Sequence, residues 1–198
     1  MPDRDLEFFH RVATRYDRHW IQWFARAIHA RVLRAVDAPS AVLDIGCGTG
    51  ALLGAIGARW PHARLAGVDA APGMVEVARR RLPAADIRHG VAEALPWADA
   101  SFDLAVTSLS FHHWRDQAAG VREAARALRP NGAFLLADIS GDGPVGWAVE
   151  SMRRLARHRE EEFAPSARVT AMMAAAGLAE GRVEHFGLYR LIRGRRMP

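Results

Sequence analysis

The run Val42-Leu43-Asp44-Ile45-Gly46-Cys47-Gly48-Thr49-Gly50 constrains this chain more than any other stretch. An apolar strand carries an acid near its end, three glycines follow at alternate positions, and Ala51-Leu52-Leu53 then opens a helix. Glycine lets the backbone turn sharply and keeps the main chain bare of Cβ atoms, so that a ligand can lie against it. The turn ends at a helix N-terminus, where N–H groups without intrahelical partners and the helix dipole favour polar or anionic ligand groups. The run predicts a nucleotide-type cofactor site at the head of a parallel sheet.

The glycines alone admit two cofactor classes. Gly46, Gly48 and Ala51 satisfy the dinucleotide fingerprint G-x-G-x-x-G/A in its permissive form. Asp44 tilts the reading: an acid two residues before the first glycine repels a pyrophosphate and suits a ligand with a cationic amino group. With Gly50 the spacing also reads G-x-G-x-G, which resembles motif I of class I S-adenosylmethionine-dependent methyltransferases. That resemblance implies that the acid and the loop hold the methionine end of the cofactor. The run Arg64 to Asp69 reads as a short strand ending in an acid nineteen residues after Gly50. A carboxylate there accepts hydrogen bonds from both hydroxyls of a ribose, a feature of NAD and S-adenosylmethionine sites alike. Pro72-Gly73-Met74 then starts a helix to about Leu82, with Pro72 near its first turn. Met74 either packs against an adenine face or belongs to the core.

Length and charge bound the remaining choices. The 198 residues suit one α/β domain with a full core. The net charge of +5 invites a nucleic-acid reading. However, all 27 basic residues are arginine and they are scattered, which weakens it. The single cysteine, Cys47, rules out an intramolecular disulfide and sits in the glycine loop where a small side chain fits. The N-terminus is too acidic and polar for a signal peptide, and no apolar run approaches the ~20 residues of a membrane span. A cytoplasmic protein is expected, as a monomer or homodimer. His112-His113 lacks a spaced second pair of ligands, so no metal is expected.

Along the chain, the segment from Asp5 to about Val36 is helical in period and rich in aromatics, including Phe8, Phe9, Trp20, Trp23 and Phe24. It is expected either to pack on the sheet or to cover the cofactor and acceptor as a lid; Tyr16-Asp17 within it resembles the tyrosine-containing arm that covers the active site in many small-molecule methyltransferases. Residues 40 to 140 alternate strands near 41–46, 65–69, 86–89, 102–108 and 133–139 with helices near 50–59, 73–82 and 117–128. Alternation of this kind predicts a parallel sheet with right-handed crossovers, and ligands at the carboxyl ends of its strands. Gly46, Asp69, the 90–97 loop, Ser108 and Asp138 are expected to converge on one crevice. Beyond Asp138, a helix is expected from Trp147 to about Glu162, with Met152, Leu155 and Phe163 as its apolar positions. Another runs from an N-cap at Ser166 to about Ala176, and two short strands, Arg182 to Phe186 and Leu188 to Ile192, pivot on Gly187.

Four motifs in order over residues 41 to 139 carry a family resemblance. They are the glycine loop with Asp44, and Val68-Asp69 with the Pro72-Gly73-Met74 helix start. Next come Ala92-Glu93-Ala94-Leu95-Pro96-Trp97 with Ser101-Phe102-Asp103. The last is Phe111-His112-His113-Trp114 followed by Glu123 and Arg126-Ala127-Leu128-Arg129-Pro130-Asn131-Gly132. Together they resemble the small-molecule class I methyltransferases with a type 11 methyltransferase domain, the group that includes ubiquinone and menaquinone methyltransferases. The resemblance implies an α/β, Rossmann-like three-layer sandwich with a mostly parallel seven-stranded sheet and an antiparallel last strand. It also implies one domain organised as an N-terminal helical lid (1–39), a cofactor-binding core (40–140) and C-terminal helices with a final strand pair (141–198). Cofactor contacts are implied for Tyr16, Asp44, Gly46, Cys47, Gly48, Gly50, Asp69, Ala70, Met74, Ala92, Glu93 and Ser108. The chain departs from the pattern at Val91, where many relatives carry an adenine-binding aspartate, and at Asn131, which replaces a turn glycine but tolerates left-handed angles.

The implied reaction is methyl transfer from S-adenosylmethionine to a small-molecule acceptor, leaving S-adenosylhomocysteine. Such a displacement needs alignment and water exclusion more than a catalytic residue. If a base acts, His112 or His113 at the mouth of the site is the candidate. Trp97, Phe111, Trp114 and Trp147 either line an acceptor pocket or belong to the core. The sequence after the fourth strand, Thr107-Ser108-Leu109-Ser110-Phe111, lacks the Asn/Asp-Pro-Pro-aromatic pattern of enzymes that methylate base amines. Two other readings compete. One is a nicotinamide-dependent oxidoreductase, disfavoured by Asp44 and by the lack of a Tyr-x-x-x-Lys pair. The other is a non-catalytic S-adenosylmethionine-binding protein of the same fold.

Overall fold

The computed structural model describes residues 3–13, 16, 22–144, 146, 151 and 163–198. Two helices lead in, α1 (Asp3–Val12) and α2 (Gln22–Ala35). The single helical period of the N-terminal segment is therefore divided in two. Asp17 and Trp20 lie outside the described residues, as does almost all of the expected helix from Trp147 to Glu162.

The expected alternation follows. It comprises β1 (Ala41–Ile45), α3 (Ala51–Arg59), β2 (Arg64–Asp69), α4 (Pro72–Arg81), β3 (Asp86–His89), β4 (Phe102–Ser108), α5 (Gln117–Ala127) and β5 (Leu128–Ile139). The chain closes with α6 (Ser166–Ala175), β6 (Leu178–Phe186) and β7 (Tyr189–Arg196). Local chemistry sets several boundaries. Pro72 is the first residue of α4, where its missing N–H costs nothing. Asp116 caps α5 by accepting from the Ala119 amide at 2.8 Å. Ser166 is not the cap expected of it. Pro165 takes that position, and the Ser166 amide and hydroxyl both donate to Asp142.

The strands form one seven-stranded sheet in the order β3-β2-β1-β4-β5-β7-β6. The pairs among β1 to β5 are parallel, and β7 runs antiparallel to both neighbours. This is the mixed sheet expected, with the reversed strand last. All five residues of β1 are buried, as suits a strand covered by helices on both faces. One face packs Leu43, Ile45, Phe134 and Leu136 with Val121, Ala124, Val169 and Met173, residues of α5 and α6. The other packs Val42, Val106 and Leu135 with Ile28, Val32, Leu53, Ile56 and Val75, from α2, α3 and α4.

The two strands that begin earlier than expected both contain irregularities. In β5 the pairing with β4 slips between Phe102↔Leu128 and Leu104↔Ala133, and Asn131 lies at φ 64°. In β6 the register slips between Ala179 and Arg182. Polar clamps fix the loops. Arg126 donates to both Glu123 oxygens, to Asp99 and to the carbonyls of Trp97 and Leu95, while Glu123 accepts the Leu95 amide. Asp103 accepts the Ser40 and Ala41 amides at the start of β1.

Arg190 on β7 is 1 % exposed, opposite Asp138 of β5, with Nη1 3.2 Å from Ser166 Oγ and 3.9 Å from Asp142 Oδ2. Removing the buried Arg190 takes the cation from beside the partly exposed Asp142 and leaves the Ser166 hydroxyl without that donor. Arg190→Met is expected to lower stability by about 1–3 kcal/mol in urea unfolding; unchanged stability would contradict this account.

Candidate functional site

The loop between β1 and α3 is built as its glycines predict. Gly46 lies at φ 74°, and a Cβ there would fall 1.8 Å from Ser110 Oγ, so no side chain fits. Gly48 lies at φ 52° with nothing within 4 Å of a Cβ position, facing open space. The amides of Gly46 and Cys47 both donate to the carbonyl of Val68, tying the loop to β2. Gly50 begins α3 and packs against Leu82 and Ala78.

A crevice opens above this loop, enclosing about 690 Å³ with its open mouth included. Its lining includes Asp44, Gly46, Cys47, Gly48, Asp69, Met74, Ser108 and His113, together with Tyr16. A smaller crevice of about 350 Å³ adjoins it, sharing Gly46, Asp69, Ser110 and His113 and adding Ala70, Gly90, Val91, Ala92, Glu93 and Trp114. Of the cofactor-contact residues expected, all but Gly50 line one crevice or the other; Gly50 acts through the backbone turn.

Two carboxylates dominate the electrostatics. Asp44 is 2 % exposed, and no protein hydrogen bond to its carboxyl is found among the described residues. Burial first, and the neighbouring Asp69 second, push its pKa up to about 8. Asp69 accepts the Gly48 amide at 2.8 Å and the Ala71 amide at 2.9 Å, one on each oxygen. Burial raises its pKa despite the opposing pull of those two amides and of His113 and His89. A carboxylate has about four lone-pair positions, so Asp69 keeps acceptor capacity for a ligand. Burial, then the same two acids, also raises the Cys47 thiol, which keeps it an un-ionised packing group.

The structure separates the adjacent histidines. His112 is buried; its amide donates to Asp138 Oδ2 at 3.1 Å, its Nδ1 lies 2.8 Å from Asp138 Oδ1, and its ring stacks on Phe163. It lines neither crevice. Asp138, expected to reach the crevice, is 1 % exposed and engaged with His112 instead. His113 lines both crevices and meets the edge of Phe9 at 5.4 Å. The tryptophans and Phe111 divide similarly. Phe111 is core, Trp97 packs on Phe102 and donates to Asp86, and Trp114 packs over Gly120 while its edge reaches the smaller crevice. Trp147 lies outside the described residues.

The sequence reading did not find Phe9, Ala25, His29, Leu52, Leu109 and Ser110 as lining groups. The two N-terminal helices bring the first three. The signal available was their helical spacing, but which face turns to the crevice depends on packing against α3 and α4. Phe9 meets Tyr16 at 5.9 Å, and both pack with Ala13, Ala71 and Met74. Met74 therefore serves the core and the crevice at once. Leu109 sits at φ 53°, a rare conformation for a side chain of its size, at the turn that delivers Ser110 and His113. Among the described residues, no group of three His, Cys, Asp or Glu side chains could hold a metal ion, and no helix is long and apolar enough to cross a membrane.

Comparison with known proteins agrees with this geometry. A family model described as a methyltransferase domain matches residues 43–136. A malonyl-[acyl-carrier protein] O-methyltransferase of Geobacter sulfurreducens is 32% identical over 188 residues, covering 85% of this chain and 67% of that protein. A demethylmenaquinone methyltransferase of Chlorobaculum parvum is 33% identical over 105 residues, covering 52% of this chain and 43% of that one. The chain spans about half the length of most of the curated relatives it matches. Among solved structures, a Thermotoga maritima S-adenosylmethionine-dependent methyltransferase, described as a possible histamine N-methyltransferase, superposes with a TM-score of 0.78. It is 23% identical and covers 96% of this chain and 98% of that chain, a likeness of fold.

The raised pKa of Asp44 has a measurable consequence. A carboxyl whose folded pKa lies above its unfolded value destabilises the fold progressively as pH rises from about 4 to about 8. Asp44→Asn is therefore expected to raise the melting temperature of the ligand-free protein more at pH 8 than at pH 5, by roughly 2–4 °C for each kcal/mol regained. A difference that stays constant across that window would contradict the assignment.

Proposed function

The chain belongs to the S-adenosylmethionine-dependent methyltransferase family, and on that premise we propose that it transfers a methyl group to a small-molecule acceptor held beside the glycine loop. The observation that carries this reading is Asp44, a buried carboxyl that lines the crevice beside a second acid and whose side chain accepts no hydrogen bond from the described residues. Buried charges need a partner. A cationic ligand supplies one; a pyrophosphate adds a third negative group. The fit extends to the backbone, since Gly48 presents open main chain where a Cβ would intrude on a ligand.

When bound, the cofactor supplies a methyl group already activated by the positive charge of its sulfonium. The rest falls to the residues of the chain. Asp44 holds the ammonium of the methionine end, beside the bare main chain of the glycine loop. Asp69, its carboxylate oriented by the amides of Gly48 and Ala71, accepts from the ribose hydroxyls. The second crevice, with Ala70, Val91, Ala92 and Glu93, takes the adenine. Val91 is exposed and Glu93 Oε1 already accepts the Asp116 amide, so the adenine amino group meets the remaining capacity of Glu93 and nearby backbone. Phe9 and Tyr16 line the crevice and meet edge to face, which supports a lid role for the N-terminal segment. If a proton must leave the acceptor, His113 and not His112 is the group on the crevice to take it.

Calorimetry of Asp69→Ala tests this arrangement. Loss of the charged acceptor is expected to weaken S-adenosylmethionine binding by about 1–3 kcal/mol, roughly 10- to 100-fold. Unchanged affinity in a folded variant would remove Asp69 from the ribose site.

A further inference from the structure

The sheet ends in two unlike edges. At one, β3 is four residues long, and its Asp86 and Arg88 are already paired with each other. A short edge that carries charge resists the addition of another strand. At the other, β6 is nine residues long, and no strand among the described residues pairs with its outer side. Gly181, Arg182, Glu184 and His185 of β6 are exposed.

Backbone direction marks the part of this edge that is open to pairing. Gly187, at φ 62°, and Leu188 form a two-residue turn closed by Phe186 and Tyr189. Opposed residues of an antiparallel pair alternate between hydrogen-bonded and non-bonded positions. Counting back from the closing pair, His185 and Val183 take non-bonded positions, so their N–H and C=O groups turn to the free edge. The register slip between Ala179 and Arg182 ends the regular stretch. Charge marks the same stretch. Arg182 lies opposite Arg193 of β7, and Asp37 already serves Arg193. Arg182 therefore faces a like charge, which is unfavourable directly across a sheet, and has no carboxylate partner among the described residues. Glu184, on the same face, pairs with Arg31 of α2 and stays half exposed.

We propose that β6 pairs antiparallel with β6 of a second copy of this chain, about a two-fold axis at Val183, so that two sheets become one. Directly opposed residues of an antiparallel pair point to the same face, so the axis must set some residue against itself. An axis at Arg182 or at Glu184 would oppose like charges. An axis at His185 leaves both charges unmatched, and one at Gly181 falls in the register slip. An axis at Val183 sets Arg182 against Glu184 of the second copy, and the symmetry makes that pair twice. It also sets Val183 against Val183, each with its backbone groups facing the other. Gly181 then opposes His185 and leaves room for its ring. Glu184 comes to lie between Arg31 of its own chain and Arg182 of the second copy. The contact thereby braces α2, whose Ala25 lines the larger crevice.

Sedimentation equilibrium of the full chain tests the pairing. At tens of micromolar the protein is expected at twice the chain mass of 21.8 kDa. Arg182→Glu alone and Glu184→Arg alone each oppose like charges across the axis, and each is expected to weaken self-association at least about tenfold. Mixing the two variants makes every opposed pair complementary again and is expected to restore the dimer, with far-UV circular dichroism reporting that both variants are folded. A second variant reads the axis directly. Opposed Cα atoms of a hydrogen-bonded pair lie about 5.5 Å apart, within reach of a disulfide. The natural Cys47 is buried, so Val183→Cys is expected to give a disulfide-linked dimer on mild oxidation. A chain that stays at its monomer mass, a dimer indifferent to both charge reversals, a mixture that does not reassociate, or a Val183→Cys chain that forms no disulfide overturns the proposal.

Discussion

The structure depends on the interlock between the glycine loop and its two neighbours. The amides of Gly46 and Cys47 share the Val68 carbonyl, so the loop is stitched to β2 at its first turn. Asp69, one residue on, reaches back to the Gly48 amide and forward to the Ala71 amide that precedes α4. From the other side, Ser110 fills the space where Gly46 has no Cβ. Three strand ends are thereby fixed relative to one another. A side chain at Gly46 would displace the turn that carries Ser110 and His113, and so would disturb the part of the site farthest from it in sequence.

The same interlock concentrates negative charge. Asp44 is buried and Asp69 partly buried at the strand ends, and Asp69 adds to burial in raising the cost of ionising Asp44. A protein keeps such a pair only where something offsets it. Backbone amides answer for Asp69. Among the described residues Asp44 has no comparable donor, an imbalance that favours a cation in the crevice. Farther along the sheet, the buried Asp138 pairs with His112, and the buried Arg190 lies beside the partly exposed Asp142, with each carboxyl held below its ordinary pKa. In both, hydrogen bonds and neighbouring positive charge outweigh the effect of burial. They stiffen the supports of the site and stay out of its chemistry.

Much of this was legible because short-range rules govern it. The glycine spacing, the acids at the ends of β1 and β2, Pro72 at a helix start and the alternation of strand and helix are local signals. The structure places each of them within a few residues of expectation. The losses have physical causes too. The run Arg129-Pro130-Asn131-Gly132 reads as a turn, yet the chain continues through it as an irregular strand because β4 offers a partner on both sides of the slip. His112 and His113 are neighbours in sequence, but a single 3-10 turn points one at Asp138 and the other at the crevice. Nothing local distinguishes them. Phe9 and His29 were missed for a related reason: a helical period shows that one face is buried without showing what it is buried against.

The central claim is that the paired acids and the bare glycine loop select S-adenosylmethionine over a nicotinamide dinucleotide. Ligands that bind only the native state raise its apparent stability. The most direct measurement is a thermal-shift titration of the full chain with S-adenosylmethionine, S-adenosylhomocysteine, NAD and NADP under identical conditions. The account predicts a concentration-dependent rise in melting temperature with the first two and none with the dinucleotides. A rise with NAD or NADP alone would contradict it, and would recast Gly46, Gly48 and Ala51 as a pyrophosphate loop.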